Sequence, residues 1–488
     1  MIKRGKTIMK RKHFTKIAAS AACFAMFAAS MAIPAANSLT APATSYAATP
    51  FIADTDYNGA INIDESQIKV TCKRYYPGGK NIKAAVSGTS VKTSSTVTSV
   101  PVLSRSIISM EVSGTGLTQE KAEKATLDVT YHIDGRKNSW TYSSPNVRKG
   151  SASNSYILDF DVITHGNSFE YSTSSFRGVK NLKCVSSCIS PQSNSGNYYQ
   201  IEAKTPNGEN IFISSKYPGN YSTNMEKWAK KLCMYANSLS DVTGVKLGTV
   251  YICFDDPDAD AYAWAYSANW YMNETMDRLG FIALSKNSSD VELDFAANKP
   301  DVMTWTLMHE IAHSYAIGCK PSNFDGFRFN DEYLTNVRGL TAIQNCDNLK
   351  KLKINLNEHY ATYDKIFAQM NCSVNTDPCG FHATKLVEIG NQYGWDKLEK
   401  YFRAESDYNY ERPENIAAAG TLADHLGITG KSKDKLLKNA DYLKYVNSGR
   451  KLMQLCWNHY NDNSFIAFVD QHFTKTGVIN TLKNINVL

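Results

Sequence analysis

The spacing of hydrophobic and polar residues changes along the chain. From about residue 50 to 195, short runs alternate between apolar and polar positions, which is typical of half-buried strands. The clearest runs are Gln67–Tyr75, Ser106–Val112, Ala125–Ile133 and Tyr156–Ile163. We therefore expect residues 49–195 to form a β-rich accessory domain with the architecture of a β-sandwich.

Two polar segments mark turns in this part of the chain. Asp134-Gly135 separates Ala125–Ile133 from Ser139–Tyr142, and such a pair favours a hairpin because both residues tolerate positive φ. Residues 190–197 are rich in Ser, Asn and Gly, which predicts a linker. A second domain is expected to begin near residue 196.

Beyond this linker the spacing becomes mainly helical. Trp228, Leu232, Tyr235 and Leu239 recur three or four residues apart, which predicts a helix. We expect buried strands at Thr249–Phe254 and Phe281–Leu284, and later helices at Ala383–Phe402, Ile416–Leu426 and Arg450–His459. The chain is therefore predicted to be multidomain α+β, with a mixed α/β domain over 196–405 and a mainly helical part over 406–488.

The N-terminus predicts a secretory signal over residues 1–48. Seven Lys and Arg residues accompany an alanine-rich apolar run, Ile17 to Ile33, and small residues follow up to Ala48. We expect cleavage near Ala48, with Ala36 as a second site, and an uncleaved anchor as the alternative. Because Asn484–Leu488 contains no sorting motif, we expect a secreted, extracellular protein without stable membrane insertion.

Removal of this segment also removes the excess of positive charge. The whole chain carries a formal net charge of +7, and residues 1–48 contain seven basic residues and no acidic ones. The mature chain is then formally neutral. Its charge therefore gives no reason to expect nucleic acid or an acidic membrane as a partner.

Ten cysteines follow the predicted signal, and this even number suits an oxidising compartment. The closest pairs, Cys184 with Cys188 and Cys372 with Cys379, are the best candidates for disulfides, although several thiols could stay free and buried in a chain of this size. The spacing of a zinc ribbon is absent from the sequence, so we expect no cysteine metal site.

The segment Thr304–Tyr315 carries the most specific chemical signal. It predicts one helix with Met308, Ile311, Ala312 and Tyr315 towards the core. Within it stand the residues of a His-Glu-x-x-His motif, which arises by chance roughly 0.01 times in a chain of this composition. Its residues are His309, Glu310 and His313.

Each residue of this motif has a chemical role in metal-assisted hydrolysis. Histidines four residues apart lie on one helix face, so His309 and His313 can bind the same Zn²⁺ ion. Glu310 is adjacent to the first ligand and can act as general base without binding the metal. The alternative is a helix with two solvated or core histidines.

A third ligand is expected at Glu332, near the start of a second helix. Eighteen residues separate His313 from Glu332, and a loop over 318–328 could turn the chain back. Asn336 lies one helical turn further on and could orient a ligand histidine through its other ring nitrogen. The alternatives are a carboxylate favoured by the helix dipole and a surface amide. A histidine as third ligand is not expected, because Ala316 and Cys319 stand where that pattern needs Gly and His.

The sequences His-Glu-Ile-Ala-His at 309–313 and Asn-Asp-Glu-Tyr-Leu-Thr-Asn at 330–336 resemble the enhancin-like gluzincins, which are viral enhancins and bacterial mucin-degrading metallopeptidases. The resemblance extends loosely over about 210–405, including Ala261–Trp270 and Tyr393–Leu398. It implies a zincin-like catalytic domain, a Zn²⁺ cofactor and cleavage of glycoproteins, often mucin-type, with β-domains that hold glycans. Ala312 stands where the family usually has Gly, and the residues after His313 also depart from the family pattern.

Other residues are weaker candidates for the same site. A donor that stabilises the transition state could be Tyr315, Tyr333, His359, Tyr360 or His382, with His359 or Tyr360 preferred. In the aromatic tract 261–271, the side chains of Trp264, Tyr266 and Trp270 could line a substrate cleft or fill the core. The acidic residues Asp255, Asp256, Asp258 and Asp260 are expected to form a solvated turn rather than a calcium site.

The sequence thus predicts a secreted zinc metallopeptidase that acts on protein or glycoprotein substrates. One alternative is a non-catalytic secreted protein that binds glycans or a host surface and has a structural zinc site. Another is a zinc hydrolase that cleaves a non-peptide amide.

Overall fold

A computed structural model describes residues 63–75, 79–98, 100, 104–133, 136–164, 166, 168–191, 198–215, 221–254, 263–266, 280–315, 331–356, 359–361, 375, 377–403, 410–458 and 461–488. The predicted signal, the Asp134-Gly135 turn and residues 192–197 of the predicted linker lie outside these ranges.

The first part of the described chain is rich in strands. After a 3-10 turn at Glu65–Gln67, it contains β1 (Lys69–Tyr75), β2 (Lys80–Asn81), β3 (Ala84–Ser87), β4 (Ser90–Thr93), β5 (Val97–Thr98), β6 (Ser104–Thr115), α1 (Gln119–Glu123), β7 (Leu127–Ile133), β8 (Arg136–Tyr142), β9 (Asn146–Lys149), β10 (Ser155–Thr164), β11 (Ser168–Thr173) and β12 (Lys180–Pro191). The strands predicted around residues 106–112, 125–133 and 156–163 are confirmed. Those flanking Asp134-Gly135 pair as an antiparallel hairpin, Ile133 opposite Arg136.

Two antiparallel sheets in this part share one hydrophobic core. One sheet has the strand order β2-β12-β6-β10-β9, and the other has β3-β4-β11-β7-β8 with β5 paired to β11. Side chains such as Met110 and Phe160 from the first sheet and Val129 and Phe169 from the second are buried together. Because each sheet must bury its apolar face against another layer, this arrangement is sandwich-like.

The middle of the chain forms a mixed sheet with helices. Its elements are β13 (Tyr198–Lys204), β14 (Asn210–Ser215), α2 (Thr223–Thr243), β15 (Thr249–Phe254), β16 (Ala263–Tyr266), β17 (Gly280–Leu284), α3 (Lys286–Asn298), β18 (Val302–Thr304), α4 (Trp305–Ser314), α5 (Asp331–Gln344), β19 (Lys353–Leu356) and β20 (His359–Ala361). The strand order of the mixed sheet is β1-β13-β14-β15-β17-β16. The predicted helix around Trp228 and the strands at 249–254 and 281–284 are confirmed.

The strand β1 corrects one expectation about the front part. The run Gln67–Tyr75 was expected to belong to the sandwich, but β1 pairs along its whole length with β13, from Lys69 opposite Lys204 to Tyr75 opposite Tyr198. Ile68, just before β1, is buried in the core of the second part. In sequence, the sandwich strands therefore come between β1 and β13, which are neighbours in the mixed sheet. Local alternation predicts a strand but not its partner, and this explains the error.

The last part of the chain is helical, as expected. It contains α6 (Pro378–Tyr393), α7 (Trp395–Arg403), α8 (Pro413–His425), α9 (Gly430–Leu436), α10 (Ala440–Trp457), α11 (Asp462–His472) and α12 (Lys475–Asn484). Their apolar faces join the core of the mixed sheet. Among the described residues, no helix is long and apolar enough to cross a membrane.

The single helix predicted over Ala383–Phe402 is instead two helices. Gly394 separates α6 from α7 with φ of 107°, a backbone conformation that favours glycine. The side chain of Trp395 packs against Gly390 in the last turn of α6. The apolar spacing continues across the break, so spacing alone did not reveal it.

The predicted disulfides are wrong for the cysteines that the structure describes. Cys184 and Cys188 carry free thiols and both lie in β12, where residues four apart are roughly 10 Å or more from each other, beyond the reach of a disulfide. Cys379 also carries a free thiol, and its Sγ accepts a hydrogen bond from Asn484 Nδ2 at 3.0 Å. Cys372 lies outside the described residues.

Two glycine-to-alanine substitutions should have opposite effects on stability. We expect Gly394→Ala to lower the free energy of unfolding by about 1–3 kcal/mol, because φ is positive and the new Cβ would overlap Asp396 Oδ1. Gly420→Ala, inside α8, should raise it by about 0.5–1 kcal/mol, because the nearest atom, Lys433 Cε, is 3.7 Å away. Chemical denaturation measures both, and equal effects would contradict the role given to Gly394.

Candidate metal centre

The segment with the His-Glu-x-x-His motif forms the expected helix. Strand β18 leads directly into α4, so the helix begins at Trp305 and ends at Ser314, within one residue of each predicted end. Met308, Ile311, Ala312 and Tyr315 are fully buried, which confirms the predicted core face. The hydroxyl of Tyr235 in α2 donates to the carbonyl of Met308 at 2.9 Å and ties α4 to the core.

The two motif histidines meet on one face of α4. Their Nε2 atoms are 3.0 Å apart, and their ring centroids are 4.5 Å apart with perpendicular planes. His309 is buried, and His313 is partly buried. The two imidazole nitrogens therefore converge on one point at the edge of the core.

The Nδ1 atom of His309 is hydrogen-bonded to a residue of α5. Its Nδ1 lies 2.8 Å from Asn336 Oδ1, and the same oxygen accepts from Trp305 Nε1 at 3.0 Å. Because an indole N–H can only donate, this atom of Asn336 is an acceptor, and His309 carries its proton on Nδ1. The contact expected between Asn336 and a histidine is thus present, and it leaves the lone pair of His309 Nε2 facing His313.

The Nδ1 atom of His313 also contacts α5, through a different residue. Thr335 Oγ1 lies 3.2 Å from His313 Nδ1. Arg338 donates from Nη1 both to Thr335 Oγ1 and to the carbonyl of Ala312, each at 3.1 Å. One helix therefore orients both imidazoles.

This arrangement fits a metal ion held by two histidines. Zn–N bonds of 2.0–2.1 Å in tetrahedral geometry place two ligand nitrogens about 3.3 Å apart, close to the separation seen here. Hydrogen bonds to Nδ1 are the usual way in which the ring of a ligand histidine is oriented. Within the described residues, however, no group of three His, Cys, Asp or Glu side chains could hold a metal.

The two predicted acidic residues stand in different positions. Glu310 lies in α4 directly after His309 and is only 4% exposed. Glu332 lies in the first turn of α5, one helical turn before Asn336, and its side chain is outside the described part. The second helix expected at Glu332 is therefore confirmed, whereas the third ligand stays a prediction.

The weaker candidates are placed only by their backbones. His359 and Tyr360 lie in β20, whose partner β19 pairs in parallel with β18, the strand that leads into α4. Trp264 and Tyr266 lie in β16, which pairs antiparallel with β17 and contacts α4. Their side chains, together with Trp270 and the acidic residues 255–260, lie outside the described part.

Three other candidates for a transition-state donor are engaged in packing. Tyr315 is fully buried against Glu209, and the hydroxyl of Tyr333 donates to Asp377 Oδ2. His382 is buried and stacks on Phe473 with ring centroids 4.3 Å apart. Burial lowers the pKa of His382 well below its usual value. These contacts give the three residues structural roles.

Each end of α4 lies beside a buried carboxyl group. At the start, Glu292 of α3 accepts a hydrogen bond from the hydroxyl of Thr304, and burial raises its pKa to about 8. At the end, Glu209 faces Tyr315 and accepts from Leu247 N at 2.9 Å, and burial raises its pKa to about 7. Desolvation disfavours the charged carboxylates and outweighs the hydrogen bonds that stabilise them.

Sequence reasoning did not find the residues around the histidines apart from Asn336. Thr335 could have been found, because it lies three residues after Glu332, about one turn further along α5. Arg338, six residues after Glu332, gave no such signal. Trp305 is likewise one turn before His309. Glu292 gave no signal, because it reaches α4 from a separate helix.

No model of a known protein family matches this sequence, and no curated protein matches it either. The resemblance to the enhancin-like gluzincins therefore stays a prediction from the sequence.

Replacing Glu292 should change how stability depends on pH. Between its ordinary pKa of 4.5 and the raised value of about 8, the folded chain keeps a proton on Glu292 that the unfolded chain has lost. The contribution of this group to stability therefore falls as pH rises, by up to about 1.4 kcal/mol per pH unit. Glu292→Gln should remove this contribution. Chemical denaturation at a series of pH values between about 5 and 8 measures it.

Glu414 is exposed to solvent, so Glu414→Gln serves as the control. We expect this variant to keep the wild-type dependence of stability on pH. Glu209 stays in both variants and contributes in the same direction, so the slope for Glu292→Gln should be smaller rather than zero. Equal slopes for both variants would contradict a protonated, buried Glu292.

Proposed function

We propose that this chain is a secreted zinc-dependent metallopeptidase of the gluzincin type. It hydrolyses peptide bonds in protein or glycoprotein substrates, and O-glycosylated, mucin-like proteins are the proposed class. The proposal includes export through the N-terminal signal and a zincin-like catalytic domain.

One observation carries this proposal. The Nε2 atoms of His309 and His313 converge at 3.0 Å, while Asn336 and Thr335 hold the two Nδ1 atoms. A pair of core histidines needs no such convergence, because each could use both nitrogens in separate hydrogen bonds. Two ring nitrogens directed at one point, with Glu310 next to His309 in the sequence, support the ligand and base arrangement of a hydrolytic zinc site.

The residues divide the catalytic work between them. His309, His313 and Glu332 would hold the zinc ion, which would supply a Lewis acid that polarises a carbonyl group and acidifies water. Glu310 takes a proton from the attacking water and delivers it to the leaving amine. Its 4% exposure keeps the carboxylate in a region of low dielectric, where its interactions with the reacting groups are strong.

The position of strand β16 favours a peptide substrate in an extended conformation. In the described part of the mixed sheet it is the last strand in the order, and it contacts α4. An extended chain can add to a sheet edge through backbone hydrogen bonds. We therefore place the substrate along β16, and we assign glycan binding to the sandwich.

The activity is tested by removing the general base. Glu310→Ala should reduce hydrolysis of casein and of O-glycosylated mucin by at least about 100-fold, because water activation loses its base. Bound zinc should stay near one equivalent. Hydrolysis is followed by release of amino groups, with and without a chelator, beside the exposed control Glu414→Ala, which should behave as wild type.

Two outcomes would separate the alternatives. Equal inactivity of wild type and Glu310→Ala, with zinc present, would contradict the peptidase and favour a non-catalytic binding protein with a structural zinc site. Cleavage of casein but not of mucin would contradict the proposed substrate class alone.

The third ligand has its own test. Glu332→Ala should weaken zinc binding by more than about 100-fold, because two histidines alone leave the ion with too few protein ligands. Competition against a chromogenic chelator measures the affinity. Asp347→Ala, at an exposed carboxylate beyond α5, should leave zinc affinity unchanged, and an equal effect of both substitutions would exclude Glu332 as the ligand.

A further inference from the structure

We propose that Arg338 and Thr335 form a positioning pair that sets the orientation of the His313 ring. The inference rests on the proposed function, because it assigns this pair a role at the same metal centre. Neither residue would touch the metal or the substrate, and Arg338 would act through Thr335.

The burial and contacts of Arg338 support this role. Its side chain is fully buried, with 0% exposure. Its Cζ atom lies over the ring of Phe402, 5.7 Å from the ring centroid. Burying a guanidinium is costly unless its N–H groups find acceptors. Nη1 donates to the carbonyl of Ala312 in the last turn of α4 and to Thr335 Oγ1 in α5. Arg338 therefore links the helix that carries His313 to the residue that contacts its ring.

Thr335 completes the connection to the histidine. Its side chain is also fully buried, and Oγ1 lies 3.2 Å from His313 Nδ1. The guanidinium can only donate, so it occupies a lone pair of Oγ1. A β-branched side chain has few rotamers in a helix, and the hydrogen bond from Arg338 selects among them. The hydroxyl is thereby held in place against the His313 ring.

The two histidines are oriented by chemically different groups. The acceptor oxygen of Asn336 fixes both the position and the proton of His309 Nδ1. A hydroxyl can either donate or accept, so Thr335 fixes the position of His313 without fixing its tautomer. His313 Nε2 can then donate to His309 Nε2 in the metal-free protein and present a lone pair to a metal. The orientation of the His313 ring therefore depends on the hydrogen bond that Arg338 donates to the hydroxyl of Thr335.

A double-mutant cycle tests the pair with Co²⁺ as the probe. Thr335→Val removes the hydroxyl at nearly constant volume, and Thr335→Ser restores it. Arg338→Met removes the guanidinium. We expect Thr335→Val to weaken Co²⁺ binding by about 10–100-fold and to change the visible absorption of the bound ion, as is typical for loss of a hydrogen bond to a ligand histidine. Thr335→Ser should bind within about threefold of wild type.

Combining the substitutions shows whether Arg338 acts through Thr335. Arg338→Met should weaken Co²⁺ binding in the same direction, and the double variant should bind no more weakly than the weaker single variant. Additive losses would overturn the proposed route. If Arg338→Met does not fold, the comparison of Thr335→Val with Thr335→Ser still decides whether the hydroxyl orients His313.

Thr341→Val is a matched control. Thr341 is a fully buried residue of α5, and its hydroxyl donates to the carbonyl of Val337 at 2.8 Å. The control should keep wild-type affinity and absorption, and an equal effect of Thr335→Val and Thr341→Val would overturn the inference. If wild type binds Co²⁺ and hydrolyses protein but Thr335→Val matches it, only the inference fails. If wild type binds neither Co²⁺ nor Zn²⁺, the proposed function fails and the inference with it.

Discussion

The contact between α4 and α5 is the constraint on which the candidate centre depends. Two imidazoles directed at one point leave both Nδ1 atoms inside the protein, where each needs a polar partner. Thr335 and Asn336 supply these partners from consecutive positions of α5. Arg338 then binds the end of α4 to the same helix. Without this packing, the histidine pair would lose the fixed orientation that a metal site needs.

The surroundings of α4 hold the helix at both ends and along its length. Tyr235 of α2 binds its backbone, and Glu292 and Glu209 lie at its start and end. Buried carboxyl groups are costly to desolvate, and both respond with a raised pKa. The chain tolerates this cost of desolvation at both ends of α4. A rigid α4 keeps both histidine rings directed at one point, and such a site can require fixed geometry more than maximal stability.

The strand pairing explains how the sandwich relates to the sheet that supports the centre. β1 and β13 are neighbours in the mixed sheet, yet the sandwich strands lie between them in sequence. Two separate hydrophobic cores result among the described residues. Each core covers the apolar faces of its own sheets, and the mixed sheet supports α4.

The sequence by itself determined the elements and the chemistry that depend on local spacing. The helix over 305–314, its core face, the histidine pair and the start of the second helix at Asp331 all follow from periodicity and one rare motif. Only the tertiary structure decided which strand β1 pairs with, where Gly394 breaks the helices, and that Arg338 and Glu292 lie against the ends of α4. These features depend on contacts between residues far apart in sequence, and neither hydrophobic spacing nor residue type specifies such a partner.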